Sequence, residues 1–236
     1  MPHNPPAGPA GVPPVEAVLF DAFGTLFDVH SAAGALAEAL GAQAAEISAL
    51  WRQKQVQYTW LRSLMGAYAP FATITAEALD HALAAHGHDD PGLRDRLLDR
   101  YGRLDAYPEV PAALRRIKAA GRATGILSNG EAQAARALAR HAGLLDSLDH
   151  VLSAETVAVF KPDARVYRLG PQATGRPPER LAFVSSNAWD VAGAAHFGFQ
   201  VIWVNRFGQV PEQLPGTPWA VVDDLTAVAD RLAASA

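Results

Sequence analysis

The chain has 236 residues and a mass of 25.0 kDa, enough for one large domain or for a core domain with a smaller insert. Half of it is hydrophobic and 19% is charged, which excludes wholesale disorder, and a formal net charge of -4 argues against general nucleic-acid binding, which needs a basic face to offset phosphates. The absence of cysteine removes disulfides, thiolate metal sites and a Cys nucleophile together, and fits a reducing compartment.

Residues 1–14 hold six of the 17 prolines and lack a basic start or a long apolar run. They predict a flexible tail, neither a signal peptide nor a membrane span. No later run is long enough to cross a bilayer, so a soluble, cytoplasmic protein is expected. A first strand is predicted over 15–20. After Asp28 the pattern changes to helices over 31–40, 46–65, 76–86 and 92–104, each with apolar residues at three- and four-residue spacing. Gly41, Gly66, Gly87 and Pro91 separate them. Further strands are predicted over 124–127, 150–152, 181–184 and 201–204, with a weaker one over 219–222. Helices over 110–120 and 131–142 end at Gly121 and Gly143. The alternation predicts an α/β fold: a parallel sheet with helices on both faces. The expected division is a tail (1–14), an α/β core (15–28 and 108–236) and an inserted helical cap (29–107).

Ligands of open parallel sheets bind at the carboxyl ends of the strands. Asp21 follows the first strand, then Ala22-Phe23-Gly24-Thr25-Leu26. Ser128-Asn129-Gly130 follow the second. Lys161-Pro162-Asp163 follow the third, and Ser185-Ser186-Asn187-Ala188-Trp189-Asp190 the fourth. Singly, each has an ordinary explanation: a helix N-cap for Asp21 or for Ser185 to Asn187, a turn at Ser128, a solvated lysine. All four in order are harder to explain that way.

The ordered set resembles the haloacid dehalogenase (HAD) superfamily. That resemblance implies a Rossmann-like parallel sheet with a helical cap, a nucleophilic Asp21, a hydroxyl at Ser128, and Lys161. Phosphatases of the superfamily carry an acid two positions after the nucleophile, where this chain has Phe23. They also hold magnesium with an acidic cluster, where it has Ser185, Ser186 and Asn187 before Asp190. A hard dication wants several oxygen ligands, so no metal and no cofactor are expected. A halide leaving group would need neither proton nor metal. The cap runs Leu50-Trp51-Arg52-Gln53-Lys54-Gln55 and Tyr58-Thr59-Trp60-Leu61-Arg62-Ser63 narrow the resemblance to the (S)-2-haloacid dehalogenases, many of which carry Tyr where Phe23 stands.

By resemblance, Asp21 would attack C2 of an (S)-2-haloalkanoate and form an ester with inversion. Water would then attack the ester carbonyl, releasing an (R)-2-hydroxyalkanoate. Lys161 would keep Asp21 ionised and stabilise charge on the ester, and Asp190 would activate water and orient Lys161 as well. Arg52, helped by Asn129, would receive the halide. Ser128 and the backbone N–H groups of Ala22 and Phe23 would bind the substrate carboxylate. Thr25 and Ser185 would hold Asp21, Asn187 would orient the site, and Tyr167 would support Lys161 or Asp190. Val56, Phe71 and Trp189 would line an apolar pocket for the alkyl group, although core packing explains Val56 equally well. Arg62 is read as structural. The partners implied are a small 2-haloacid and water, with a homodimer possible through the helix over 46–65. The rival readings are an azetidine-carboxylate ring opener or defluorinating hydrolase on this scaffold, a magnesium-dependent phosphatase, and a non-catalytic binding protein.

Overall fold

A computed structural model describes residues 14–233 of the chain; apart from Pro14, the expected tail lies outside them. Six strands form one parallel sheet in the order β3-β2-β1-β4-β5-β6. They are β1 (Ala17–Phe20), β2 (Ala123–Ser128), β3 (His150–Ser153), β4 (Leu181–Ser185), β5 (Gln200–Val204) and β6 (Ala220–Val222). Every residue of β1, β4 and β5 is buried, as a parallel sheet covered on both faces requires. Five of the helices follow directly from the core alternation: α6 (Val110–Ala119), α7 (Ala132–His141), α8 (Ala164–Thr174), α9 (Ala188–Phe197) and α10 (Leu225–Ala233). Right-handed crossovers place α6 and α7 on one face and α8 and α9 on the other. The packing of α10 on α6 and of α8 on α9 agrees.

Between β1 and α6 the chain makes the helices of the cap: α1 (Ser31–Gly34), α2 (Ala37–Leu40), α3 (Ala44–Met65), α4 (Phe71–Ala85) and α5 (Pro91–Tyr101). The expected helix over 31–40 is two separate turns. Gly34 is a poor helix former, and Leu36 breaks the run with φ -117° and ψ 22°; Ala32, Ala33 and Leu40 are each buried from their own turn. Helix α4 begins five residues earlier than its pattern predicts. Its first residues include β-branched Thr73, Ile74 and Thr75, which lower local propensity, yet Phe71, Ile74, Thr75 and Ala78 are buried at helical spacing. Packing overrides propensity there. Helix α5 starts with Pro91 at its first turn and Asp90 as N-cap, the Asp90 carboxylate accepting from the Gly92 N–H at 2.8 Å.

The chain order places the site. From β1, successive strands run outward to β2 and β3 on one side, then return to β4, β5 and β6 on the other. Ligand crevices form at such a reversal. The carboxyl ends of β1, β2 and β4 therefore meet, with the cap helices held above them.

Candidate active site

Asp21 stands just past β1, its N–H still donating to the Val184 carbonyl at 2.9 Å. The chain then turns tightly, with the N–H groups of Thr25, Leu26 and Phe27 all converging on the Ala22 carbonyl. Gly24 makes the turn possible with φ 89°. Among the described residues the N–H groups of Ala22 and Phe23 carry no hydrogen bond, so two donors are left beside the carboxylate.

Lys161 is the hub. Its Nζ donates to Asp21 Oδ1 at 3.0 Å and to Asp190 Oδ2 at 2.9 Å, and it lies 4.8 Å from the centre of the Phe183 ring. All three charged groups are buried. Burial alone would lower the Lys161 ammonium, but the charges of Asp190 and Asp21 more than offset this and hold it above its ordinary value. Burial pushes the Asp190 carboxyl up to about 6, with Lys161 opposing the rise and the Asp21 charge adding to it. Tyr167 donates to Asp190 Oδ1 at 2.7 Å; its own phenol is held well above the usual value by burial and by Asp190.

Asp21 Oδ2 accepts from Asn187 Nδ2 at 2.7 Å and from the Thr25 hydroxyl at 3.1 Å, and that hydroxyl accepts from the Ser186 N–H at 2.8 Å. The two oxygens of Asp21 are thus held differently, one by two donors and the other by Lys161. Asn187 occupies the N-cap position of α9 but makes no capping bond; its amide nitrogen is committed to Asp21 and to the Phe23 carbonyl at 3.0 Å.

Three expected residues sit differently from their assigned places. The Ser185 hydroxyl donates to Asp190 Oδ2 at 3.1 Å, so it holds Asp190 and not Asp21; α9 brings Asp190 back over the end of β4, within its reach. Asn129 Oδ1 accepts from the Lys161 N–H at 2.9 Å, which ties it to the loop that carries the lysine. Phe71 does not line the cleft that Val56 and Trp189 line. It packs on Phe23, with ring centres 5.2 Å apart, and on Phe160. Asp190 is fully buried, with three donors on its two oxygens. Ser128 is also buried, its Oγ accepting from the Gly130 N–H at 3.0 Å while its own proton stays free to donate. Gly130 is required where it is, since a Cβ there would come within 2.5 Å of the Phe23 ring.

Side-chain hydrogen bonds join α3 and α4 of the cap to the core. Arg52, on α3, donates to the Phe23 carbonyl at 3.1 Å and to Asn187 Oδ1 at 3.2 Å. Ser63 Oγ accepts from the Phe160 N–H at 3.1 Å, one residue before Lys161. Glu131 accepts from the Ala72 N–H in the first turn of α4 at 3.0 Å. Arg62 pairs with Glu77 inside the cap at 2.7 Å, which agrees with a structural part. Beside the cap contact lies a cleft of about 660 Å³, whose walls include Arg52, Val56, Trp60, Asn187, Trp189 and Phe207. Trp60 meets Trp189 edge to face at 5.3 Å.

The fold agrees with the comparisons. The family model for haloacid dehalogenase-like hydrolases matches residues 15–198. The (S)-2-haloacid dehalogenase of Pseudomonas sp. strain YL is 48% identical over 217 residues, 92% of this chain and 94% of the relative. The chain belongs to the (S)-2-haloacid dehalogenase family. The chain is also similar to haloacetate dehalogenase H-2 of Moraxella sp. strain B, 40% identical over 93% of this chain and 98% of that protein. A solved family member, the L-2-haloacid dehalogenase of Xanthobacter autotrophicus with chloropropionic acid covalently bound, superposes with a TM-score of 0.85. It is 37% identical and covers 92% of this chain and 97% of that one.

Pattern reading gave no site role to two residues that pack beside Arg52 and Phe23, Gln55 and Tyr101. Gln55 is fully buried on α3 and accepts from Arg52 at 2.7 Å. The Tyr101 hydroxyl lies 2.9 Å from its amide nitrogen. Gln55 stood in the cap run Leu50 to Gln55, but the buried face of α3 also carries Ser48 and Thr59, so nothing in the pattern singled it out.

Proposed function

We propose that this enzyme hydrolyses (S)-2-haloalkanoic acids to (R)-2-hydroxyalkanoic acids through an ester on Asp21. The single observation that carries the reading is the buried pairing of Asp21 with Lys161, beside two unused backbone donors and beneath Arg52. The substrate carboxylate binds the Ala22 and Phe23 N–H groups and the Ser128 hydroxyl. Asp21 Oδ1, with fewer donors than Oδ2, attacks C2 from the side opposite the halogen. The C–X bond breaks, and the halide leaves with the electron pair toward Arg52, an always-charged guanidinium. Water then attacks the ester carbonyl, so the inversion at C2 survives. Lys161 stabilises the oxyanion of that step; the intermediate collapses by breaking the bond between the Asp21 acyl carbon and the product oxygen, and Asp190, which holds Lys161, takes the proton from the attacking water and returns it to the departing alkoxide. Val56 and Trp189 meet the alkyl group, while Phe71 acts through the seat of Phe23. No step uses a metal or a cofactor. The names of the relatives, and the covalently bound chloropropionic acid in one of them, support this chemistry. We further propose a cytoplasmic homodimer. No helix among the described residues is long and apolar enough to cross a membrane.

A single turnover on 2-chloropropionate in labelled-oxygen water, with chelator present, tests the reading. Label is expected in Asp21 and not in the first product, with the (S) form preferred. Label in the first product, or loss of activity with the chelator, would overturn it. Asp21→Asn should lower turnover by at least about 10³-fold, the scale seen when a nucleophile is removed, with an unchanged circular-dichroism spectrum.

A further inference from the structure

Arg52 is held by neutral groups alone. Its guanidinium donates to Gln55 Oε1, the Phe23 carbonyl and Asn187 Oδ1, and among the described residues no carboxylate pairs with it. Two acceptors are fixed by backbone or by contact with Asp21. The third, Gln55, is a side chain deep in the cap whose amide could in principle point either way.

Its direction is decided by Thr75. The Thr75 hydroxyl has one proton, which it donates to the Phe71 carbonyl at 2.8 Å. Toward Gln55 it can only accept, and Gln55 Nε2 lies 2.7 Å away. The amide nitrogen must therefore face Thr75 on α4, and the amide oxygen must face Arg52. Tyr101 on α5 closes the group, its hydroxyl 2.9 Å from Nε2 and 3.1 Å from Oε1. The Tyr101 ring stacks on Phe23 at 5.8 Å. Three cap helices thus set one acceptor, and all three side chains are buried.

We infer that Gln55, oriented by Thr75, is the positioning residue for Arg52: it aims the guanidinium with a neutral acceptor and so leaves its charge for the departing halide. A carboxylate at this position would pair with the guanidinium and spend that charge. An apolar side chain would leave Nη1 unheld. The inference rests on the reading of Arg52 as the group that receives halide.

The test is first-turnover halide release from (S)-2-chloropropionate and (S)-2-bromopropionate, followed by rapid mixing, with the decay of the ester followed by mass in the same samples. Gln55→Glu is expected to slow halide release by about 10- to 100-fold, the scale of a misplaced reacting partner. The loss should be larger for chloride, the poorer leaving group, than for bromide. Inhibition by added bromide should weaken, and ester decay should stay within about twofold of wild type. Thr75→Val, which keeps the volume and removes the acceptor, should shift the same readouts in the same direction by a smaller factor, and it decides the matter if Gln55→Glu does not fold. Unchanged halide release, or equal slowing of both half-reactions for both halides, overturns the inference. Arg52→Lys separates the two levels. If it leaves halide release unchanged, the reading of Arg52 is wrong. If it slows release while the Gln55 and Thr75 variants do not, only the positioning role fails.

Discussion

Asp190 carries the pH dependence expected of the site. Its carboxyl sits at about 6, pushed up first by burial. Below that value it is protonated, and Lys161 loses one of its two counter-charges. Turnover should therefore fall on the acid side with a limb near 6, and Asp190→Asn should show low turnover without that limb; a kcat profile across the limb checks both. The stability sign is opposite. A carboxyl raised above its unfolded value binds protons more readily when folded, so its cost is absent below the ordinary carboxylate value and grows as the pH rises to about 6. Lys161, held high by its two partners, contributes stability that is present at neutral pH and lost as the pH rises through its folded value. Asp21 and Lys161 were legible as candidates because each follows a predicted strand. The partners of Ser185 and Asn129 were not, because a hydrogen bond is decided by side-chain direction over about 3 Å, and strand spacing says nothing about that.

The elements are tied at their ends by charged and polar groups that the hydrophobic pattern does not show. Arg122, just before β2, is buried and donates to the Val15 carbonyl at 3.3 Å and to the Leu232 carbonyl at 2.7 Å. It joins the approach to β1 to the last turn of α10, where cations suit the unpaired carbonyls. Burial lowers its guanidinium, so part of the gain is lost to desolvation. Arg122→Met should cost about 1–3 kcal/mol, the scale of charged hydrogen bonds whose acceptors are left buried. Urea unfolding should show the loss, with activity unchanged at a temperature well below the transition. The strands were legible almost to the residue from short apolar runs. The start of α4 was not, since Phe71 is buried against Phe23 and Phe160, which lie far away in sequence, nor was the split between α1 and α2 at Leu36.

At the scale of the whole molecule, the proposed dimer has a physical candidate surface. Leu61, Leu64 and Met65 project from the end of α3, with Leu64 85% exposed, and apolar side chains clustered in this way favour association. Leu64→Glu should shift the mass measured by light scattering from dimer toward monomer with little change in secondary structure. A monomeric wild type would end that proposal. The sequence by itself determined the α/β class, the helical insertion after β1 and the four strand-end clusters, because periodicity and strand ends are local properties of the chain. Only the tertiary structure decided that Lys161 stands between Asp21 and Asp190, that Ser185 serves Asp190, and that Gln55 turns its oxygen to Arg52. Those choices depend on the crossing of chain segments far apart in sequence, where the sheet reverses direction and the cap closes over it. Donor and acceptor meet there at distances that no spacing along the chain encodes.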